Sequence, residues 1–190
     1  TRLLAGLMRV HGYAGGPDNA LALAKEYVDS LRQWGGQTET DQDTLKWYLT
    51  QTPRYLPPGR PLLAPGEILL VRWPHVEQEW GRDVLRGTKE LPGLLETLTI
   101  WTQGPMNMNT LQPAVLSALV RDERQARPFV NAVQHYRDNP DNDLGENWYK
   151  DLLSAYDVPA LPNGCLDVRS RWYRLNLTVQ QGARKNTLTS

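Results

Sequence analysis

Four carboxylates, Asp138, Asp141, Asp143 and Glu146, fall close together and are interleaved with Asn139, Asn142 and Gly145. Oxygen-rich loops of this kind suit hard cations, because calcium takes roughly six to eight oxygens from carboxylates and backbone carbonyls. A second cluster, Glu39, Asp41 and Asp43, has the same chemistry. Neither has EF-hand spacing. A loop counted from Asn139 places Asp141 and Asp143 at its third and fifth positions, but Leu144 stands where glycine is required and Lys150 where glutamate is required. The four residues Asp138, Asp141, Asp143 and Glu146 are therefore candidate calcium ligands, set against the plainer reading of a solvated polar loop.

The remaining chemistry is sparse. His11, His75 and His135 lie far apart in sequence, and none sits beside a nucleophile signature. No G-x-S-x-G, Walker loop, dinucleotide fingerprint or H-E-x-x-H occurs. Cys165 follows Gly164 with no neighbouring histidine to activate it, so it reads as a structural thiol. Glu67 is a single carboxylate at the start of a short helix, where the helix dipole alone accounts for it. No catalytic constellation emerges, and the chain is expected not to be an enzyme.

Binding signatures are few as well. Leu91-Pro92-Gly93-Leu94 resembles the turn of a helix–hairpin–helix module, which holds phosphates on backbone amides. Lys89, however, is answered by Glu90 and Glu96, and such turns also serve protein binding. Lys+Arg and Asp+Glu are equal at 21 each, so no overall field recruits nucleic acid or an anionic membrane. The seven tryptophans, Trp34, Trp47, Trp73, Trp80, Trp101, Trp148 and Trp172, are core residues by default. Some of them would suit a partner interface.

The elements that must position these residues are helical first and stranded last. Leu3, Leu4, Leu7 and Met8 predict a short amphipathic helix ending near Gly12. After a Gly15-Gly16-Pro17 turn, Asp18 is expected to cap a helix to about Trp34, burying Ala20, Leu23, Ala24, Tyr27, Val28 and Leu31. Gly35-Gly36 ends it, and residues 37–43 read as a loop. Pro53, Pro57, Pro58, Pro61 and Pro65 require an extended surface segment. Glu67 to Val71 predicts a helical turn stopped by Pro74, followed by short pieces at Val84-Leu85 and Leu91 to Leu95. Ile100-Trp101 reads as extended. Further helices are expected over 127–137, with Pro128 in the first turn, and over about 146–156. Tyr173, Leu175, Leu177 and Val179 then alternate with polar residues, as a strand with one buried face does, led by a shorter strand near Leu166 to Arg169. A lone strand or hairpin is not stable by itself, which places partner strands upstream of Thr1 or in another subunit. The opening, Thr1-Arg2-Leu3-Leu4, lacks an initiator Met and begins within an apolar pattern, as a fragment or processed form would. No apolar run approaches the roughly 18 residues of a membrane span.

One segment stands out: Gly104-Pro105-Met106-Asn107-Met108-Asn109-Thr110, leading into Leu111-Gln112-Pro113-Ala114-Val115-Leu116. Thr110 is expected to cap a helix running to Val120, with Pro113 tolerated in its first turn. A cap needs one polar residue, yet Asn107 and Asn109 flank an apolar Met108. Their side chains are expected to tie backbone segments together.

This stretch resembles the I-N-x-N-T-A-x-x-E-V-L-x-A-L signature of general secretion pathway protein K, the largest minor pseudopilin of bacterial type II secretion. Three other stretches agree in order. Trp47 to Leu62 resembles the family's Y-Y-L…P-P-Y-x-x-x-N-x-P-L run, Glu67 to Val71 its E-L-x-x-V, and Val168 to Leu175 its closing V-x-S-x-Y-F-x-L strand. The resemblance implies an α+β chain: a mainly helical inserted domain, similar to helical-hairpin modules, on a partial pilin-like α/β core with C-terminal antiparallel strands. Residues 1–157 would be the inserted region, in two subdomains of about 1–103 and 104–157, and residues 158–190 the strands of the core. It further implies a non-enzymatic tip component of the periplasmic pseudopilus, anchored in the inner membrane, with other minor pseudopilins as partners and secreted proteins as cargo. The chain departs from the family at Gln33-Trp34-Gly35-Gly36, where D-W-x-D often feeds a calcium site, so both carboxylates are missing there. Glu39, Asp41 or Asp43 would have to compensate. Pro113 also replaces a small or acidic residue, and Met106 and Met108 replace Ile and Val. The alternative function is a helix–hairpin–helix module acting on nucleic acid, which salt-dependent DNA binding would distinguish.

Overall fold

The structure, a computed structural model, describes residues 1–13, 17–89, 93–100, 104–170, 176–181 and 184–189. The Gly15-Gly16 turn, the hairpin positions Leu91 and Pro92, Trp101, Trp172 and the expected strand residues Tyr173 to Leu175 lie outside them. The chain is α+β and mainly helical. Its elements are α1 (Arg2–Val10), α2 (Pro17–Trp34), α3 (Gln42–Thr50), a 3-10 turn (Pro65–Leu70), α4 (Glu79–Arg86), α5 (Leu94–Thr97), β1 (Met106–Asn107), α6 (Pro113–Leu119), α7 (Glu123–Asp138), α8 (Lys150–Ala155), β2 (Leu166–Asp167), β3 (Asn176–Gln181) and β4 (Arg184–Thr189).

The long helix α2 follows its sequence pattern closely. Ala20, Leu23, Ala24 and Tyr27 are buried on one face, with Leu31 packed partly against the same core. It starts at Pro17 rather than after a cap at Asp18, as the missing N–H of proline costs nothing at a helix's first position. Its C-terminus is a Schellman motif: Gln37 N donates to Arg32 O at 2.8 Å and Gly36 N to Gln33 O at 3.1 Å. Gly36 takes φ +70°, and a Cβ there would come 3.0 Å from Gly59 Cα. The glycine thus ends the helix and lets the proline-rich segment lie against that end.

The loop expected over 37–43 is cut short by α3. Asp41 is its N-cap, with Oδ1 accepting from Thr44 N and Oδ2 from Thr44 Oγ1, both at 2.8 Å. What reads as one member of an acidic cluster is spent on a helix start. The same Thr44 Oγ1 accepts from Arg72 Nη1 at 2.8 Å, and Tyr48 Oη accepts from Arg72 N at 2.9 Å, so α3 is fastened to the chain just past the 3-10 turn. Between them, residues 51–64 carry no helix or strand, as their prolines require.

Two apolar clusters build the core. The first gathers α1, α2, Tyr48, Ile68, Val71, Trp73, Val84, Leu85 and Leu94, and takes Val115 and Ala118 from α6. The second takes Met108, Phe129, Val130, Val133 and Tyr149, and closes on Leu116 and Leu119 of the same α6. Helix α6 is thus a wall common to both. Its approach to α1 is very close: a Cβ on Gly6 would lie 2.2 Å from Ala118 O. Arg9 of α1 continues the contact, donating to Val120 O at 2.6 Å and Arg121 O at 2.8 Å, where the end of α6 leaves its last carbonyls unpaired.

Several boundaries differ from the sequence reading for identifiable reasons. Thr110 does not cap α6. Gln112, preceding a proline, is held extended at ψ 149°, and the helix begins at Pro113 with no side-chain cap. Thr110 N and Leu111 N instead donate to Asn107 O, each at 3.0 Å, in a turn. Helix α7 begins at Glu123, so Pro128 sits inside it; Asp122, accepting from Arg124 N at 3.0 Å, supplies an earlier start. Helix α8 is shorter than 146–156 because Asn147 takes φ 73°, which no α-helix contains. The strand β3 covers 176–181 and pairs antiparallel with β4, Leu177 opposite Leu188 and Val179 opposite Asn186. Val179, expected on a buried face, is 55% exposed.

Gly6→Ala is expected to lower stability by about 1–3 kcal/mol, since its methyl meets backbone rather than a movable side chain; urea unfolding measures it. Asp41→Ala is expected to cost about 1 kcal/mol. The hydrogen bonds from Thr44 hold the Asp41 carboxyl below its ordinary pKa. That stabilisation is therefore complete above the ordinary aspartate range and fades as pH falls through the lowered value. Asp41→Asn, which keeps the cap, should unfold with less acid sensitivity than the parent when urea midpoints are compared at neutral and acid pH.

Candidate functional site

The asparagine pair lies where the helical body meets the C-terminal stretch. β1 and β2 pair in parallel, Met106 opposite Leu166 and Asn107 opposite Asp167. Met106 N donates to Cys165 O at 2.8 Å and Met108 N to Asp167 O at 2.7 Å. Two residues of strand give little by themselves. The side chains complete the junction.

Asn107 turns its Oδ1 onto Asn109 N at 2.8 Å, folding the backbone after β1, while its Nδ2 donates to Ser170 Oγ at 2.8 Å. Asn109 uses every polar atom of its amide. Its Nδ2 donates to Leu144 O and to Val168 O, both at 3.1 Å, and its Oδ1 accepts from Trp148 Nε1 at 2.8 Å. One side chain thus holds the acidic loop, the turn before α8 and the stretch after β2. Met108 between them is fully buried in the second core, which is why the polar residues alternate around it. The tie expected of this pair is what they form.

Two neighbours complete the junction without any signature in the sequence. Arg137, in the last turn of α7, donates Nη1 to Leu111 O at 3.0 Å and Nη2 to Met108 O. Burial presses its pKa down, against the opposing pull of Asp138, yet a guanidinium stays charged at any physiological pH. Trp148 stacks flat on Tyr136, with centroids 4.6 Å apart and planes 6° from parallel. An arginine at a helix end and a Tyr–Trp pair twelve residues apart are legible only once α7 and the 146–149 turn are placed.

The candidate calcium ligands border this junction. Asp143 Oδ1 accepts from Gly145 N at 2.8 Å, and its carbonyl faces Tyr136 Oη at 3.4 Å. Asp141 N donates to Asn139 Oδ1 at 3.0 Å, and Asn142 Nδ2 to Tyr136 O at 3.0 Å. Asp138, Asp141, Asp143 and Glu146 are all exposed, and they do not converge. Among the described residues, no three His, Cys, Asp or Glu side chains are grouped as a metal ion requires. In the other acidic cluster, Asp41 is engaged in its cap and Asp43 faces Lys46 at 3.4 Å.

The other singled-out residues are dispersed. Glu67 is held by Arg60 in a two-pronged ion pair of 3.0 and 3.2 Å and accepts from Leu63 N, which keeps its carboxyl below the usual range; the helix dipole is not its only reason to be there. His11 is buried, whereas His75 stands on the surface with Nε2 3.7 Å from Glu26. An open groove of about 500 Å³ runs between α2 and residues 72–78, with Glu26, Asp29, Arg72 and His75 on its walls. In this groove the Glu26 carboxylate is a charged neighbour of His75. Trp34 and Trp73 are buried, Trp47 and Trp148 half-buried, and Trp80 is 40% exposed.

No family model matches the chain, and searches of curated proteins and of solved structures return no match either. Among the described residues, no helix is long and apolar enough to cross a membrane.

Asn109→Ala strips partners from an indole N–H and two carbonyls at once. It is expected to cost about 2–4 kcal/mol, an unpartnered buried group being worth about 1–3. Asn109→Asp, which keeps the acceptor for Trp148 but loses both donors, should also destabilise. Urea unfolding followed by tryptophan fluorescence measures both variants.

Proposed function

We propose that this chain is a minor-pseudopilin-like structural protein, a tip component of a type II secretion pseudopilus, acting by assembly rather than catalysis. The observation that carries the reading is the ordered set of stretches resembling general secretion pathway protein K, above all Asn107-Met108-Asn109-Thr110. The hydrogen bonding of the two asparagines supports it. Residues that a sequence signature singles out are here consumed in holding a helical body to a C-terminal stretch, with no polar atom of the Asn109 side chain left for a substrate. A structural signature is expected to look like this, and a catalytic one leaves a reactive group free.

On this reading the mainly helical region is the inserted domain, and the β3–β4 hairpin belongs to a pilin-like core. The protein works in the periplasm, anchored to the inner membrane. Its partners are other minor pseudopilins, and the assembled filament moves secreted proteins across the outer membrane. The exposed Trp80 is the described tryptophan best placed to meet a partner.

The test is size-exclusion chromatography with light scattering, mixing this chain with the soluble domains of two other minor pseudopilins. A stable ternary species is the expected result, and Trp80→Ala should weaken it if that ring is in the interface. If the chain elutes alone while circular dichroism shows all three proteins folded, the tip assignment fails.

A further inference from the structure

Asn163-Gly164 is the one Asn-Gly step in the sequence, and it lies in an exposed turn just before β2. The turn is closed by Cys165 N donating to Pro162 O at 3.2 Å. Neither the Asn163 amide nor Gly164 N has a hydrogen-bond partner among the described residues. Gly164 takes φ +78° and carries no Cβ, so no side chain of its own crowds its nitrogen.

We propose that Asn163-Gly164 is a self-modifying turn, whose asparagine converts without any enzyme to aspartate and isoaspartate. The Gly164 nitrogen attacks Asn163 Cγ. A C–N bond forms, the bond from Cγ to the side-chain nitrogen breaks, and that nitrogen leaves as ammonia with the proton lost from Gly164. The product is a five-membered succinimide. Water then opens either of its carbonyls: cleavage at Cγ gives aspartate, and cleavage at the main-chain carbonyl gives isoaspartate. No oxidant or reductant enters.

The other asparagines are placed differently. Asn109 is bonded through its whole amide, Asn107 is held by Ser170 and Asn109, and Asn142 by Tyr136 O. Asn139 precedes Pro140, whose nitrogen has no proton to lose. The rest are followed by residues with a Cβ that crowds the attacking nitrogen. Amide lability of this kind is one reason proteins of heat-loving organisms avoid asparagine.

The location gives the change a structural consequence. Conversion adds a negative charge to a chain whose formal net charge is zero. Isoaspartate also lengthens the backbone two residues before Cys165, whose carbonyl accepts from Met106 N at 2.8 Å at the head of the β1–β2 pairing.

The experiment is timed incubation of the purified chain at neutral and mildly alkaline pH. Ion-exchange chromatography separates acidic forms, and mass spectrometry of tryptic peptides locates the exchange of –NH2 for –OH. An acidic form should accumulate, faster at the higher pH, with the change confined to Asn163. Asn163→Gln should abolish it, and Gly164→Ala should slow it by roughly an order of magnitude. Asn163→Gln leaves the glycine in place and so tests the proposal even if Gly164→Ala folds poorly. The proposal is overturned if no acidic form appears, if the change maps first to another asparagine, or if Asn163→Gln acidifies at the parent rate.

Discussion

The contact of Gly6 with the backbone of Ala118 is the constraint on which the rest of the molecule depends. Helix α6 is only seven residues long and has apolar side chains on two sides. Such a helix has no stability of its own, and most of what holds it comes from the surfaces it buries. Because Gly6 carries no Cβ, α1 can settle onto α6 at backbone distance, with Arg9 binding the carbonyls at its end. Seated in this way, α6 turns Val115 and Ala118 to the first core and Leu116 and Leu119 to the second. Two clusters that neither half of the chain could complete are thereby closed by one short element.

The second core then orders the junction. Met108 is buried among Leu116, Phe129 and Val133, and its burial fixes the backbone from which Asn107 and Asn109 extend. The polar contacts are possible because the apolar residue between them is held. Arg137 reaches the same turn from α7, so four stretches distant in sequence meet around two amides. A buried polar network of this kind is stabilising only when its members are satisfied; Asn109 meets that condition fully, while the buried Nε of Arg137 has no partner among the described residues.

How much of this was legible follows from where each signal lives. The apolar face of α2 and its glycine stop are local, and the sequence announces both. The role of Asn107 and Asn109 was legible because two cap-forming residues around a methionine exceed what one helix start can use. Their partners were not, since nothing local points to Leu144, Val168 or Ser170. Helix α3 was hidden because Asp41 fits a metal-binding cluster as well as a cap, and only Thr44 three residues later decides between them. The start of α7 was misplaced because Pro128 is a strong local signal for a first turn, and the cap at Asp122 outweighs it. The alternation of the strand now seen as β3 was legible, but its partner was not: the expectation put partner strands outside the chain, whereas β3 pairs with β4 just after it. The exposure of Val179 depends on what covers the hairpin, which periodicity alone does not reveal.

The span of the Asn109 contacts bears on how the protein comes into being. Its bonds run to residues 35 and 59 positions downstream. As the chain leaves the ribosome, α1, α2 and α6 are available to one another well before Leu166 to Ser170 have been made. The first core can therefore form on the growing chain, whereas the second stays unsealed at its polar edge until Val168 and Ser170 have followed. Met108 and its neighbours are the apolar surface left uncovered in that interval. They are what a holding chaperone would find, and a chain truncated before Val168 would carry that surface permanently.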